Sequence, residues 1–429
     1  MKQPMGLTQK ILLAMFLAIV TGLVANFCLG MADWFDVLAK DWLAGGLFFV
    51  VGKIFVATLK VLVVPMVFVS LVCGAASLGD SKQLGRLGGK TILLYLFTTA
   101  VAISLAMLMA LWFQPGVGAD LQSSNEVAIS QGSSFAQVLI NIFPTNPISA
   151  MAEGKMLQII VFALLLGVAI NHSGQAGERL KATFQDWNEV VMKLVTLLMK
   201  LAPYGVFALL FNLIVDKGIG AIDELIVYFL TVVLVLVIHA CVVYPSLLVV
   251  LAKLNPVIFF RKMRDVQLFA FSTASSNATL PITMRTVEDR LGVDNRIASF
   301  SLPLGATLNM DGTAIMQGVA TVFIAQAYGI DLSALDFLTV IATATLASIG
   351  TAGVPGVGLV MLSLVLTQVG LPVEGIALII GVDRLLDMLR TAVNVTGDAT
   401  VSCIVAKSEN QFDQSRFNDT EAGLVEEKV

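Results

Sequence analysis

The chain is poor in charge: of its 429 residues only 13% are charged and 57% are hydrophobic, with a mean hydropathy of +0.89. An ordinary soluble domain is about 25% charged, so these charges cannot cover a water-facing surface. Cysteine is scarce too. Cys28, Cys73, Cys241 and Cys403 stand singly in apolar stretches, which excludes a disulfide framework and a CxxC-type zinc site. Histidine occurs only as His172 and His239, too few for a histidine-based metal centre. Basic blocks are missing, with net charge −4 and pI near 5.3, so a nucleic-acid footprint is absent. What remains is a polytopic membrane protein.

Long uncharged runs fill the chain instead. A spanning helix takes about 20 apolar residues, and 11–30, 46–74, 87–113, 156–171, 184–214, 225–252, 296–329 and 372–407 are the candidates, about eight crossings. The uncharged run 11–32 exceeds the roughly 7–15 residues of a secretory signal and reads as the first span. The stretch 135–151, broken at Pro144 and Pro147, goes with the fourth. Lys82, Arg86, Lys90, Arg179, Lys181 and the basic residues of 253–296 fall on one side, whereas loops 114–132 and 330–336 contain no Lys or Arg. The positive-inside rule then puts both termini in the cytoplasm, with Lys40 and Lys217 as exceptions. The acidic tail 408–429 is expected to hang free there.

Two segments do not fit as simple spans. Between Asp336 and Glu374 lie 37 uncharged residues; as one helix they would run about 56 Å, nearly twice a hydrocarbon core. Ser348, Gly350, Gly353, Pro355 and Gly356 break the run, leaving two arms short enough for a hairpin that enters and leaves by one face. Stretch 266–284 repeats the theme around Ser272, Ser275, Ser276 and Pro281. The first hairpin opens from the basic side and the second from the opposite side, and each precedes a full span. Paired interruptions in inverted halves point to a transporter's binding site, because irregular backbone at membrane depth must be buried or reached by water. Small residues at such tips could also serve close helix packing alone.

Polar residues inside the spans sharpen the reading. Asn309, Met310, Asp311, Gly312 and Thr313 interrupt span 296–329, and a carboxylate at the bilayer centre costs about 2.5–3.5 kcal/mol. Gly312 invites local unwinding that would free carbonyl oxygens for a hard cation; a structural Asp is the alternative. In the last span Asp383, Asp387, Arg390, Thr391, Asn394 and Asp398 fall within a sector of roughly 100°. An ion-pair ladder would explain part of that face, but its surplus of carboxylate wants a further cation. Arg384, at the edge, is expected to pair with Asp383. Chemically the face suits a zwitterion: Arg390 can clamp a carboxylate, Asp387 can take an ammonium, and Asn394 and Asp398 offer oxygens to an alkali cation.

At these residues the chain resembles the dicarboxylate/amino acid:cation symporter family, over essentially residues 8–408. The resemblance implies an all-α polytopic fold of about eight transmembrane helices plus two re-entrant helical hairpins in inverted repeats. It implies a homotrimer whose transport core (257–407, with the third span, 87–113) slides as an elevator against a scaffold drawn mainly from 1–256. By position, Ser276, Thr313, Val354, Gly358, Asp387, Arg390, Thr391 and Asn394 resemble the family's substrate contacts. One sodium site would use carbonyls of Gly305, Asn309 and Asn394 with the Asp398 carboxylate. A second would use carbonyls of Thr307, Ser348, Ile349 and Thr351 beside Met310. A third would combine Tyr95, Thr98 and Thr99, which only the resemblance selects, with Asn309 and Asp311.

Departures from the pattern matter. Ala274 and Met388 stand where some members carry arginine, and Gln317 stands where mammalian glutamate carriers use a glutamate as proton carrier. The expectation is sodium-coupled uptake of an acidic amino acid, aspartate or glutamate, across a bacterial or archaeal cytoplasmic membrane. The alternatives are proton coupling, a C4-dicarboxylate or a neutral amino acid. Arg390 argues against a neutral substrate, and Asp387, left unpaired by a ligand without an amine, argues against a dicarboxylate. A channel has no use for such a receiver. A hydrolase built on Ser275 lacks a GxSxG elbow, so no enzyme is expected.

Overall fold

The computed structural model describes residues 7–76, 82–118, 143–217, 220–348, 356–419 and 422–423. Among them the chain is helical, with one isolated backbone bridge between Val293 and Phe412. Helix follows from the composition, since a backbone in lipid must satisfy every N–H and C=O within its own segment.

The first half supplies α1 (Leu7–Cys28), α2 (Phe49–Ala76), α3 (Lys82–Phe113), α4 (Met156–Asn171), α5 (Gly174–Met199) and α6 (Ala202–Lys217). Helix α1 packs along α6, and α2 packs on α4, α5 and α6. The expected span 184–214 is therefore two helices, bent by 47°. Next, α7 (Gly220–Ile238) continues through wider turns to Ala252. It packs on the helices of the second half more than on α6, although the sequence reading grouped this span with the scaffold.

Both hairpins are present as antiparallel helix pairs. The first joins α8 (Pro256–Thr273) to α9 (Ser276–Asp289). Ala274 turns the chain at φ +48°, and Ser275 caps α9 by accepting the Ala278 N–H at 3.2 Å. The span after it is broken, as Gly312 suggested, but two residues earlier. Helix α10 (Asn295–Leu308) stops, Asn309 and Met310 adopt non-helical angles, and α11 (Asp311–Ala327) starts afresh. The second hairpin pairs α12 (Ala334–Ser348) with α13 (Val357–Gln368). At 15 and 12 residues these arms reach about 22 and 18 Å, too short to cross. Its tip, with Ile349, Thr351 and Val354, lies outside the described residues. Last comes α14 (Ile376–Ser408).

Helix α11 is buried on every face, which marks it as the centre of the bundle. Helices α3, α7, α12, α13 and α14 pack around it, and α14 also carries α8 and α10. By length and composition three described helices could cross a membrane unbroken: 9–28, 86–113 and 225–252. Of the other expected spans, 296–329 is interrupted at Asn309, 156–171 is a helix of 16 residues, and α14 carries several charges.

The tail corrects an expectation. Residues 409–419, read as free, are folded back onto the turn after the first hairpin. Asp294 N–H donates to Gln411 O at 3.1 Å and Asp413 N–H to Gly292 O at 2.7 Å. Gly292, at φ +79°, leaves no room for a Cβ against Asp413. Beneath this clasp, Lys262 donates to Arg290 O at 2.6 Å and to Arg416 O at 2.8 Å, and Phe417 is fully buried. Backbone pairing and one aromatic anchor hold a segment whose polarity suggested nothing of the kind.

Candidate functional site

Helix α14 builds the site, because 3.6-residue periodicity stacks its polar residues on the face turned to α11. Asp383, Asp387, Arg390, Thr391, Asn394 and Asp398 are all buried, Arg390 completely.

Towards the start of the helix lies an ion-pair centre. Arg390 Nη1 is 2.9 Å from Asp383 Oδ1, and Nη2 donates to Asp387 Oδ1 at 3.0 Å. Asp387 Oδ2 accepts from Arg384 Nη1 at 3.1 Å and from the Gly356 N–H at 3.2 Å. Arg384 thus pairs with Asp387, three residues on. Adjacent helix positions point about 100° apart, whereas i and i+3 share a face. Two carboxylates and two guanidiniums make this centre neutral. Gly358 and Thr313 border it: a Cβ on Gly358 would lie 3.2 Å from Arg390 Nη1 and 3.3 Å from Thr313 Cγ2. Arg390 Nε has no hydrogen-bond partner among the described residues.

Two turns further on lies a second centre without any guanidinium. Asn309 Nδ2 donates to Asp398 Oδ1 at 2.9 Å and to Asn394 O at 3.4 Å. Asn394 Oδ1 accepts the Gly312 N–H at 2.7 Å, and its Nδ2 reaches Met310 Sδ at 3.3 Å. Gly305 must be glycine, since a Cβ would sit 2.5 Å from both Asp398 Oδ1 and Tyr95 Oη. Thr99 Oγ1 donates to Asp311 Oδ1 at 2.6 Å, and Thr98 Oγ1 lies 3.5 Å from Asn309 Oδ1. Tyr95 donates to Ser301 O at 3.0 Å. Among the described residues no lysine or arginine pairs with Asp311 or Asp398, both essentially unexposed. No cluster of three or more His, Cys, Asp or Glu occurs there. The donors are carboxylate, hydroxyl, amide and carbonyl oxygens, the set a hard cation takes.

Most of the expected residues therefore meet. Ser276 is buried in the first turn of α9, which packs on α10 and α14. Ser348 ends α12 with its hydroxyl on Thr345 O, and Thr307 points its hydroxyl back to Leu304 O; neither side chain joins the two centres. Two residues escaped the sequence reading, His239 and Tyr244 of α7, both bonded to Asp311. One signal was available: a histidine inside an uncharged span is a functional candidate by default.

Re-entrant hairpins and a broken helix closed around buried charges define a membrane carrier. The chain belongs to the sodium:dicarboxylate symporter family, which it matches over residues 7–408. It is 37% identical over 428 residues to the proton/glutamate-aspartate symporter of Escherichia coli, covering 96% of this chain and 94% of that one. It is 37% identical over 380 residues to the proton/sodium-glutamate symport protein of Geobacillus stearothermophilus (85% and 89% covered). It is 35% identical over 421 residues to the human neutral amino acid transporter A (88% and 78% covered). The chain is accordingly a multi-pass secondary transporter of amino acids and not an enzyme.

Proposed function

We propose that the protein couples sodium entry to uptake of aspartate or glutamate. The observation that carries this reading is the segregation of buried charge: one centre is neutral, while Asp311 and Asp398 have no lysine or arginine partner among the described residues. Buried carboxylates are tolerated when paired or when they hold a cation. Sodium beside Asp398, with carbonyls of Gly305, Asn309 and Asn394, and sodium beside Asp311, with Thr98, Thr99, Tyr95 and Asn309, would balance them. The second expected site, with Thr307, Met310, Ser348, Ile349 and Thr351, rests on the resemblance alone.

In the neutral centre the ion pairs can be exchanged. The substrate's side-chain carboxylate takes Arg390, and its ammonium takes the Asp387 carboxylate that Arg390 gives up. Thr391, Asn394, Thr313, Ser276 and Gly358 complete the receiver, and Val354 joins them on the resemblance alone. The helices that enclose it, α3 and α7–α14, form the moving body; α1, α2 and α4–α6 form the scaffold of a homotrimer. This division shifts α7 from scaffold to moving body because it packs there. Both termini face the cytoplasm, as the basic side of the sequence requires.

Relatives differ in coupling ion: proton in the name of one, proton and sodium in that of another. Gln317, buried in α11, has no titratable group. Tracer flux in proteoliposomes decides the matter. A sodium gradient alone should drive accumulation of labelled aspartate. Accumulation driven by a pH gradient in sodium-free buffer would establish the proton reading instead.

A further inference from the structure

We propose that His239 and Tyr244 position the Asp311 carboxylate for the coupling cation, holding Oδ2 so that Oδ1 faces the bound ion. This inference rests on the sodium reading above and adds an outer layer to one of its sites.

The geometry starts in the backbone of α7. In an α-helix, residues five apart point about 140° away from one another. Between 239 and 243 the helix widens, and the Tyr244 N–H bonds to His239 O. Single wide turns of this kind recur at functional sites because they re-aim side chains. Here the turn brings both side chains to one face, their rings 4.6 Å apart at 74°.

Both then donate to the same oxygen. Tyr244 Oη lies 2.9 Å and His239 Nε2 3.2 Å from Asp311 Oδ2. A carboxylate only accepts, so Nε2 carries the hydrogen; Nδ1 has no partner. The two residues and Asp311 are wholly buried, so water does not compete for these bonds. Tyr244 is also fixed from behind. Its hydroxyl lies over Gly397, where a Cβ would collide with it and approach Asn309 Nδ2 to 2.6 Å. The same glycine therefore sets Tyr244 and Asn309 against each other.

Oδ1, in contrast, meets one rotatable hydroxyl, that of Thr99. That hydroxyl can turn its hydrogen away and offer a lone pair. Oδ1, Thr99 Oγ1 and the neighbouring Thr98–Asn309 pair then present oxygens to one point. With Oδ2 committed to two donors, the carboxylate plane is set before the ion arrives. Partners that orient a ligand in this way typically change metal affinity 10- to 100-fold when removed.

The test uses the full chain in liposomes and reads the sodium concentration for half-maximal aspartate uptake. His239→Leu should raise it about 10-fold, with aspartate half-saturation at saturating sodium unchanged. His239→Gln places an amide N–H near the Nε2 position and should restore the value to within about 2-fold of wild type. Tyr244→Phe, which removes a single hydroxyl, should raise it in the same direction and covers the case in which His239→Leu fails to fold. An unchanged sodium dependence in Tyr244→Phe and His239→Leu, or equal shifts in His239→Leu and His239→Gln, overturns the positioning role while the sodium reading stands. Sodium-independent uptake by the wild type overturns both.

Discussion

Between Asp383 and Arg390, α14 sets two carboxylates against two guanidiniums. Two turns further on, Asp398 has an amide for a partner, and Asp311 has two hydroxyls and an imidazole. Both regions are buried, so the contrast is one of chemistry and not of exposure. A neutral set of ion pairs can trade partners with a zwitterion at little net cost in charge. Hydroxyl and amide donors can orient a carboxylate but leave its charge uncompensated, which is the condition for holding a metal cation. Arg390 and Asp398 share α14 while Asp311 lies on α11, and any effect that a ligand in one region has on the affinity of the other is returned by an equal factor.

The harshest way to break the contrast is to take the guanidinium from the neutral half. Arg390→Thr leaves Asp383 without a basic partner among the described residues, and breaking a buried pair costs about 3–5 kcal/mol. Aspartate affinity should fall by about 10- to 100-fold or more, the worth of a charge-assisted bond of about 1.5–3 kcal/mol. The smaller, uncharged side chain should at the same time admit serine or alanine. Competition uptake with these three amino acids, run beside a melting curve, checks it; aspartate affinity equal to wild type would remove Arg390 from the receiver.

A gentler pair of substitutions separates the two halves directly. Asp387→Asn should lower amino acid uptake while sodium binding alone survives, since the ammonium loses its partner. Asp398→Asn should do the reverse, raising the sodium needed for half-maximal uptake by about 10-fold with the aspartate preference intact. Sodium-dependent stabilisation of the purified variants against heat reads the ion without the substrate. Matching profiles for the two variants would mean that α14 carries one mixed site.

Much of this was legible because the helix period is fixed. Six polar positions on α14 had to share a sector, and apolar spans gave them nowhere else to go. The breaks at Ala274 and Asn309 were legible from serine and glycine in otherwise continuous hydrophobic runs. The convergence of His239 and Tyr244 was not, because five-residue spacing places them on different faces until the helix widens between them. The pairing of Arg384 with Asp387 follows from the neighbour in space, three residues on, and not from the neighbour in sequence. The clasp was hidden for a further reason: backbone bonds such as Asp413 N–H to Gly292 O leave almost no trace in side-chain pattern.

A second contact of the tail supplies the smallest expected effect and the control for the comparison. Glu409, just beyond α14, pairs with both Lys90 and Arg86 of α3. The hydrogen bond from Lys90, with help from Arg86, holds its carboxyl below the usual carboxylate range. A depressed carboxylate stabilises the fold above its ordinary pKa, and that contribution is lost as the pH falls through the lower, folded value. Exposed pairs of this kind are worth about 1 kcal/mol or less. Glu409→Gln should therefore lower the melting temperature slightly at neutral pH, and the difference from wild type should vanish in acid. Neither the sodium nor the aspartate half-saturation concentration should move, because Glu409 touches neither buried centre. A several-fold shift in sodium dependence would show that the Glu409 contact with α3 reaches Thr98 and Thr99, and the two-centre picture would need a third member.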